Sequence, residues 1–531
     1  MAKRPHIIIF NPDEMRADAM CHLGNPAAIT PNLDALAAGE GVSFSRAYCQ
    51  NPVCVPSRCS FFTGLYPHTN GHRTMSYLLR PGEETLFSEL RRAGYYVWMN
   101  TRNDLLAGQF PGWLESHADE IFYGADKNAP GPENPEIRGQ KGNKQFYSHY
   151  EGRLGLDENG RNYTDDDATV DAAIARILNP PDDRPLCLFL GLVYPHVPYQ
   201  VEEPYFSAID RSKLPPRIRL EDCEGKSGML HLIHDLVNMD AYTEADWDEL
   251  RAVYLGMCMK VDEQFGRMVR ALKDAGIYDD CAIFFLSDHG DWAGDYGLPE
   301  KAQTCFEDCL TRVPLLIKPP KGVDYEPGIS DSLTELVDFY ATALDFAGAS
   351  SSHTHFGRSL RETLKDHDRA VRDFVTCEGG RLPEERHCDE FHDSPGGASE
   401  SFVYWPKTKA QSDNEAHAKA FMLRGERYKY VSRISGEDEL YDLENDPQEK
   451  RNLINEPSLA PVVTEMQRQM LRWLQETSDI VPFEHDLRFT REMMLFKARK
   501  IVPPERMDKL IQYLDAGMPF YPAIGRVMSE K

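Results

Sequence analysis

The stretch Ala282-Ile283-Phe284-Phe285-Leu286-Ser287-Asp288-His289-Gly290 runs five apolar residues straight into an acid and an imidazole. An unbroken apolar run of this length reads as a strand covered on both faces. The abrupt polar end marks where such a strand leaves its sheet. Three other runs follow the same plan. His6-Ile7-Ile8-Ile9-Phe10 ends at Asn11-Pro12-Asp13-Glu14, Leu186-Cys187-Leu188-Phe189-Leu190 leads to Tyr194-Pro195-His196, and Val313-Pro314-Leu315-Leu316-Ile317 is the fourth. Between them lie helical patterns. "TPNLDALAAG" offers Thr30 as N-cap, Pro31 at the first helical position and Gly39 as a stop. "DATVDAAIARILN", "LRAVYLGMCMKVDEQFGRMVRALKDAG" and "LTELVDFYATALDFAG" repeat apolar residues at three- and four-residue steps, the second closing at Gly276. Alternating strands and helices predict an α/β fold, a mixed, mostly parallel central sheet sandwiched by helices. Sites in such folds gather beyond the carboxyl ends of the strands.

After residue 365 the texture changes. "CEGGRLPEERHCDEFHDSPGGASES" reads as a long surface loop. The strand-like runs "RYKYVSRI" and "DELYDLENDP" and the helix "SLAPVVTEMQRQMLRWLQET" follow. The expected division is a catalytic α/β domain over 1–365 and a smaller C-terminal α+β domain over 366–531, with an antiparallel sheet, a packing helix and a helical tail. No internal repeat is visible.

The chain has 531 residues, 41% hydrophobic and 27% charged, with a net charge of -26. A single core rarely serves that length, so more than one domain is expected. Such an acidic surface argues against nucleic acid as a partner. A small anionic substrate is still allowed, because a local cluster of cations or a metal can hold one. Twelve cysteines occur without a CxxC pair, which disfavours a zinc ribbon or a thioredoxin-like site. The apolar run after the first residues is too short for an export signal, and none reaches the length of a membrane helix. A cytoplasmic protein with reduced thiols and no membrane contact is expected.

Taken singly, the polar strand ends are unremarkable: Asp13 could cap a helix, and Asp288-His289 could begin a loop. Two such pairs at the ends of two strands in one sheet favour a shared metal site for Asp13, Glu14, Asp288 and His289, since hard cations want clustered carboxylate oxygens. His196 sits between two prolines that stiffen its loop. Lys301 follows His289 by twelve residues. Cys54, in "QNPVCVPSRCSFFTGLYPHTNGH", is harder to place. A thiolate nucleophile wants a His base, and none is near in sequence. A core thiol is ordinary, but it explains neither Pro56 nor Arg58.

Cys54-x-Pro56-Ser57-Arg58 followed by Thr63-Gly64 resembles the signature of type I sulfatases, within the alkaline phosphatase superfamily. "TPNLDALAAGEGVSFSRAY", "FTGLYPHTNGH", "SDHGDWAGDYGL", "RVPLLIKPP" and "ELYDLENDPQEKRNL" look like family segments in family order. The likeness covers roughly residues 5–475. It implies a sulfuric ester hydrolase in which a maturation enzyme oxidises Cys54 to formylglycine. The hydrated aldehyde attacks sulfur beside a divalent cation, usually calcium, with magnesium or manganese as alternatives. The second hydroxyl then allows sulfate to leave and the aldehyde to re-form. By position, the resemblance makes Asp13, residue 54, Asp288 and His289 metal ligands. It makes Arg58 the holder of the diol, Lys301 a sulfate clamp, and His196 the proton donor to the ester oxygen.

The pattern departs from the family twice. Glu14 stands where many sulfatases have a second Asp, and so is either a ligand or a neighbour of the ligands. Arg102-Asn103-Asp104 stands where the family often shows Lys-Trp-His, which makes these three candidates for reading the substrate's alcohol part. The expected substrate is a small anionic sulfate ester, a sulfated carbohydrate or an aryl sulfate. Asp13-Glu14-Met15-Arg16-Ala17-Asp18 also resembles the start of formylglycine-dependent phosphonate monoester and phosphodiester hydrolases, the runner-up reading. A third reading, a binder of sulfated ligands without turnover, is opposed by the intact set of Cys54, Arg58, His196, Asp288, His289 and Lys301. Self-association into a homo-oligomer is left open.

Overall fold

A computed structural model describes residues 4–125, 129–483 and 489–530. Its centre is an eight-stranded sheet. From edge to edge it runs Gly328–Ser330, Val42–Phe44, Leu315–Lys318, Cys281–Leu286, His6–Asn11, Leu186–Gly191, Tyr96–Asn100 and Glu120–Phe122. His6–Asn11 lies in the middle and pairs parallel with both neighbours. Leu315–Lys318 alone runs antiparallel to Cys281–Leu286 and Val42–Phe44, so the sheet is mixed but mostly parallel, as expected. That strand begins two residues later than its apolar run, because Val313 N–H bonds the Ala47 carbonyl and Pro314 has no N–H to give.

Every residue of the three middle strands is buried, which is why their sequences read as continuous apolar runs. The pleat sends successive side chains to opposite faces. Ile8, Phe10, Leu188, Leu190, Ile283 and Phe285 meet the helices Pro31–Gly39, Asp165–Leu178 and Glu244–Asp274. Ile7, Ile9, Cys187, Phe189, Phe284 and Leu286 meet Cys54–Thr63, Leu86–Arg92 and Val337–Ala347. The second and third helices of the first layer open with capping boxes, Thr164 with Asp167 and Thr243 with Asp246. Thr30 is the N-cap residue of Pro31–Gly39 as expected, its carbonyl accepting the Asp34 N–H at 2.9 Å, but its side chain makes no capping bond. Its hydroxyl instead accepts the Cys21 N–H and donates to Asp34.

A four-stranded antiparallel sheet follows, in the order Val375–Gly379, Ala420–Arg424, Tyr428–Arg433, Glu439–Asp442. The helix Ala460–Thr477 lays Met466, Met470 and Trp473 on Leu423, Tyr430 and Leu440. The polar stretch 377–401 leaves the sheet after Gly379 and from residue 382 on is mostly exposed, as its composition implies, with short helical turns at Arg386–Cys388 and Glu390–Asp393. Arg381 in it is only 1% exposed. Its guanidinium reaches Asp389, Asn414 and the carbonyls of Leu382 and Gln411, so polar partners and not apolar ones surround it. By contacts the chain forms two compact units, Met1–Ile480 and Val481–Lys531. The second is built of helices Arg491–Ala498, Met507–Asp515 and Phe520–Ser529 around Met494, Leu510, Ala523 and Val527. Among the described residues no helix is long and apolar enough to cross a membrane. None of the twelve cysteines, all of them among the described residues, is in a disulfide.

Gly191 closes the strand next to the central one, and a Cβ there would lie 2.2 Å from the Arg102 carbonyl oxygen. Gly191→Ala is therefore predicted to push the 101–104 loop outward and to cost about 2 kcal/mol or more in urea unfolding. A loss below about 0.5 kcal/mol would show that this close approach is not enforced.

Candidate active site

Three segments converge at the carboxyl end of the sheet: the loop after His6–Asn11, the loop after Cys281–Leu286, and the start of the helix Cys54–Thr63. The helix explains the spacing that the sequence left puzzling. Cys54, Ser57 and Arg58 are three and four residues apart, so they share one face. Ser57 Oγ donates to the Asp288 carbonyl at 2.6 Å, and Arg58 Nε donates to Asp288 Oδ2 at 2.8 Å. A terminal nitrogen of Arg58 lies 3.0 Å from Asp13 Oδ2. Cys54 Sγ is then 3.1 Å from His289 Nε2 and 3.5 Å from Asp13 Oδ1. The positive end of the helix dipole points at the same spot, which favours an anion there.

The two strand-end loops are stitched together by backbone donors. Met15 N–H bonds Ser287 Oγ at 2.8 Å, and Glu14 N–H bonds Asp288 Oδ1 at 3.2 Å. Tyr254, from the long helix Glu244–Asp274, donates its hydroxyl to the Glu14 carbonyl and accepts the Arg16 N–H. These bonds hold Glu14 at φ 69°, a left-handed backbone that few non-glycine residues adopt. The Glu14 side chain turns away from Asp288 and reaches Lys301 Nζ at 2.8 Å, with His196 Nε2 at 3.5 Å.

His196 Nδ1 lies 2.7 Å from the Val197 carbonyl, an oxygen that can only accept, so the neutral ring carries its proton on Nδ1 and turns a bare Nε2 to the site. Burial, helped by Lys301, lowers the His196 pKa to about 3. The loop before it hangs on Asp166, whose two oxygens accept the N–H groups of Val193 at 2.8 Å and Tyr194 at 2.9 Å. Burial would raise the Asp13 carboxyl, but Arg102 and Arg58 outweigh it and hold it well below the usual range. Burial would lower the Lys301 ammonium, but Cys54, Glu14 and Glu300 hold it above its ordinary value. The Cys54 thiol is pushed well up by burial and then by Asp13, an environment opposite to that of a reactive thiolate.

The three residues at 102–104 part company. Arg102 donates to Asp13 Oδ2 at 2.5 Å and joins the site. Asp104 lies at its edge, 3.7 Å from Arg58, with 34% of its side chain exposed. Asn103 is buried and faces its own loop, where Oδ1 accepts the N–H groups of Leu105 and Leu106. Residues the sequence did not single out are Ser57, Asp166, Tyr254 and Ser287. Ser57 carried a signal, its three-residue step from Cys54. Asp166 looked like one more acid in a helix's first turn.

Asp13, Cys54, Asp288 and His289 each offer a ligand atom within 4.8 Å of one another, all buried. Glu14 is not in that group; it forms a second one with Asp13 and His196. His289 Nδ1 donates to the Gly290 carbonyl at 2.9 Å, which leaves the Nε2 lone pair for a metal. Two carboxylates and an imidazole fit a hard divalent cation. A neutral thiol does not, whereas an oxygen on the same carbon would.

The sulfatase family model matches residues 5–349. The chain belongs to the sulfatase family. It is thus an enzyme of the sulfuric ester hydrolase kind. An arylsulfatase of Clostridium perfringens is 25% identical over 89% of this chain and 95% of its own. A multifunctional alkaline phosphatase superfamily protein of Trinickia caryophylli is 26% identical over 90% and 96%. Among solved structures, the phosphonate monoester hydrolase of Silicibacter pomeroyi shares the fold, with a TM-score of 0.68 and 23% identity over 90% of this sulfatase and 96% of its own chain.

Asp166→Ala is predicted to free the 193–196 loop of this sulfatase and lower kcat/KM about ten- to a hundredfold through misplacement of His196. Asp166→Asn, which keeps one acceptor oxygen, should lose less. Steady-state kinetics on the folded variants decide the matter; an alanine variant within about twofold of wild type would remove Asp166 from the positioning of His196.

Proposed function

We propose that this protein hydrolyses a sulfate monoester, of a sulfated carbohydrate or an aryl alcohol, through a nucleophile derived from Cys54. The observation that carries the reading is the shared helix face of Cys54, Ser57 and Arg58, seated on Asp13, Asp288 and His289. A maturation enzyme that oxidises Cys54 to formylglycine would supply an aldehyde hydrate, an oxygen nucleophile with its own exit route for sulfate. Asp13, Asp288, His289 and the oxygen at residue 54 would hold a divalent cation, calcium by family resemblance, whose charge makes that oxygen more acidic and polarises the ester. Glu14 sits beside this set, where it fixes Lys301.

Arg58 keeps the two carboxylates together and orients residue 54. Arg102 and Lys301 bring two further positive charges for the sulfate oxygens, on which negative charge builds as the ester bond breaks. Lys301 is the proton donor we assign to the leaving oxygen. The sequence pointed to His196 for that duty, but the His196 ring spends its proton on Val197, which fits a hydrogen-bond acceptor. Asp104, at the open edge, is placed to read a hydroxyl of the alcohol part; Asn103 serves the loop.

A second reading, phosphonate monoester or phosphodiester hydrolysis, is supported by the Trinickia relative's description as multifunctional. Matched aryl sulfate, phenylphosphonate and diester substrates separate the two. The account expects the highest kcat/KM on a sulfate, and a phosphonate value greater by about a hundredfold or more would overturn the sulfate assignment. Cys54→Ala should lower kcat/KM by at least about a thousandfold with the fold retained. Chelation with EDTA should abolish turnover and calcium should restore it best; full activity in the metal-free protein would contradict the proposed site.

A further inference from the structure

Lys301 is held by more than its own loop. Its Nζ lies 3.1 Å from Glu300 Oε1, and Lys407 Nζ lies 3.0 Å from that same oxygen. With Glu14 at the other end, this makes a line of alternating carboxyl and ammonium side chains, Glu14–Lys301–Glu300–Lys407. Glu14, Lys301 and Glu300 are at most 4% exposed, and the Lys407 side chain is 11% exposed. Glu300 itself is fixed: its N–H bonds the Tyr199 hydroxyl at 2.9 Å, and its backbone sits at φ 67°. Burial would raise the Glu300 carboxyl, but Lys301 and then Lys407 hold it well below its usual range.

Lys407 comes from the short helix Trp405–Gln411, over a hundred residues along the chain, and its ammonium lies 4.9 Å from the Tyr404 ring centre. The antiparallel sheet and the connection after this helix hold the Lys301 loop at other points too. His417 Nε2 lies 2.9 Å from Gln303 Oε1, Arg433 donates to the Thr304 carbonyl at 2.8 Å, and a Cβ on Gly379 would meet the Gln303 carbonyl at 1.7 Å.

We propose that Lys407 is a positioning residue for catalysis: by neutralising Glu300 it leaves Lys301 directed at Glu14 and the substrate. The proposal rests on the role given to Lys301 above. Without Lys407, Glu300 is a buried carboxylate with a single cation, and it draws Lys301 toward itself. The helix Trp405–Gln411 that carries Lys407 then acts as a brace for the active site.

The test is a small cycle of variants, assayed on whichever ester the wild-type protein cleaves fastest, with melting temperature measured for each. Lys407→Met should lower kcat about tenfold or more, with a smaller change in KM, and Lys407→Arg should stay within about threefold of wild type. The deciding variant is Glu300→Gln/Lys407→Met. Removing the surplus charge should restore at least about fivefold of what Lys407→Met lost. A double variant no better than Lys407→Met would overturn the proposal, since Lys407 would then act on substrate directly or on the fold. So would a Lys407→Met kcat within twofold of wild type, or a loss that follows the unfolded fraction. Full turnover by Lys301→Ala would instead sink the role given to Lys301, and with it the reading beneath the proposal.

Discussion

The guanidinium of Arg58 lies between Asp13 and Asp288, and the active-site end of the sheet depends on it. Two neighbouring parallel strands end in carboxylates that are fully buried and would repel one another. Placing each such charge in the interior costs several kcal/mol unless it is paired. Arg58 pairs with both at once, and Arg102 adds a second cation on Asp13. A lysine could not do the same, because a point charge lacks the fork that reaches two acceptors in fixed directions. The same arginine rides one helical turn after Cys54, so the contact that keeps the carboxylates together also sets where residue 54 stands.

What could be read from the sequence follows from this arrangement. The strands were plain because burial on both faces forces continuous apolar runs, and their polar ends named Asp13, His196, Asp288 and His289. Cys54 and Arg58 were visible as a spacing, and their helix turns that spacing into one face. Other parts were hidden because their logic is long-range. Asp166 resembles any helix-opening acid until Val193 and Tyr194 are seen on it. The 377–401 stretch is polar and mostly exposed, as it reads, but the burial of Arg381 within it rests on hydrogen bonds to Asn414 and Gln411 that composition does not reveal. Asn103 lies between two residues that face the site and itself faces the loop. Lys407 had no local cue, since its partner Glu300 is 107 residues away.

The charge pattern also bears on substrate. Arg58, Arg102 and Lys301 surround the place where an anionic ester would lie, so they favour a tetrahedral monoanion but do not by themselves distinguish sulfur from phosphorus. Discrimination falls to geometry and to the edge of the site, where Asp104 is open. A negative edge beside a cationic floor suits an ester whose alcohol part donates hydrogen bonds, as a sugar hydroxyl does.

The central claim is that the encoded Cys54 is a precursor and that the catalyst is its oxidised form. Trypsin cuts after Arg46 and Arg58, so the mass of the 47–58 peptide from catalytically active protein reports on it directly. The account predicts a peptide lighter than the encoded one by about 18 Da, the change from thiol to aldehyde. An active preparation in which that peptide carries only the encoded mass, with Cys54 still open to alkylation, would contradict it.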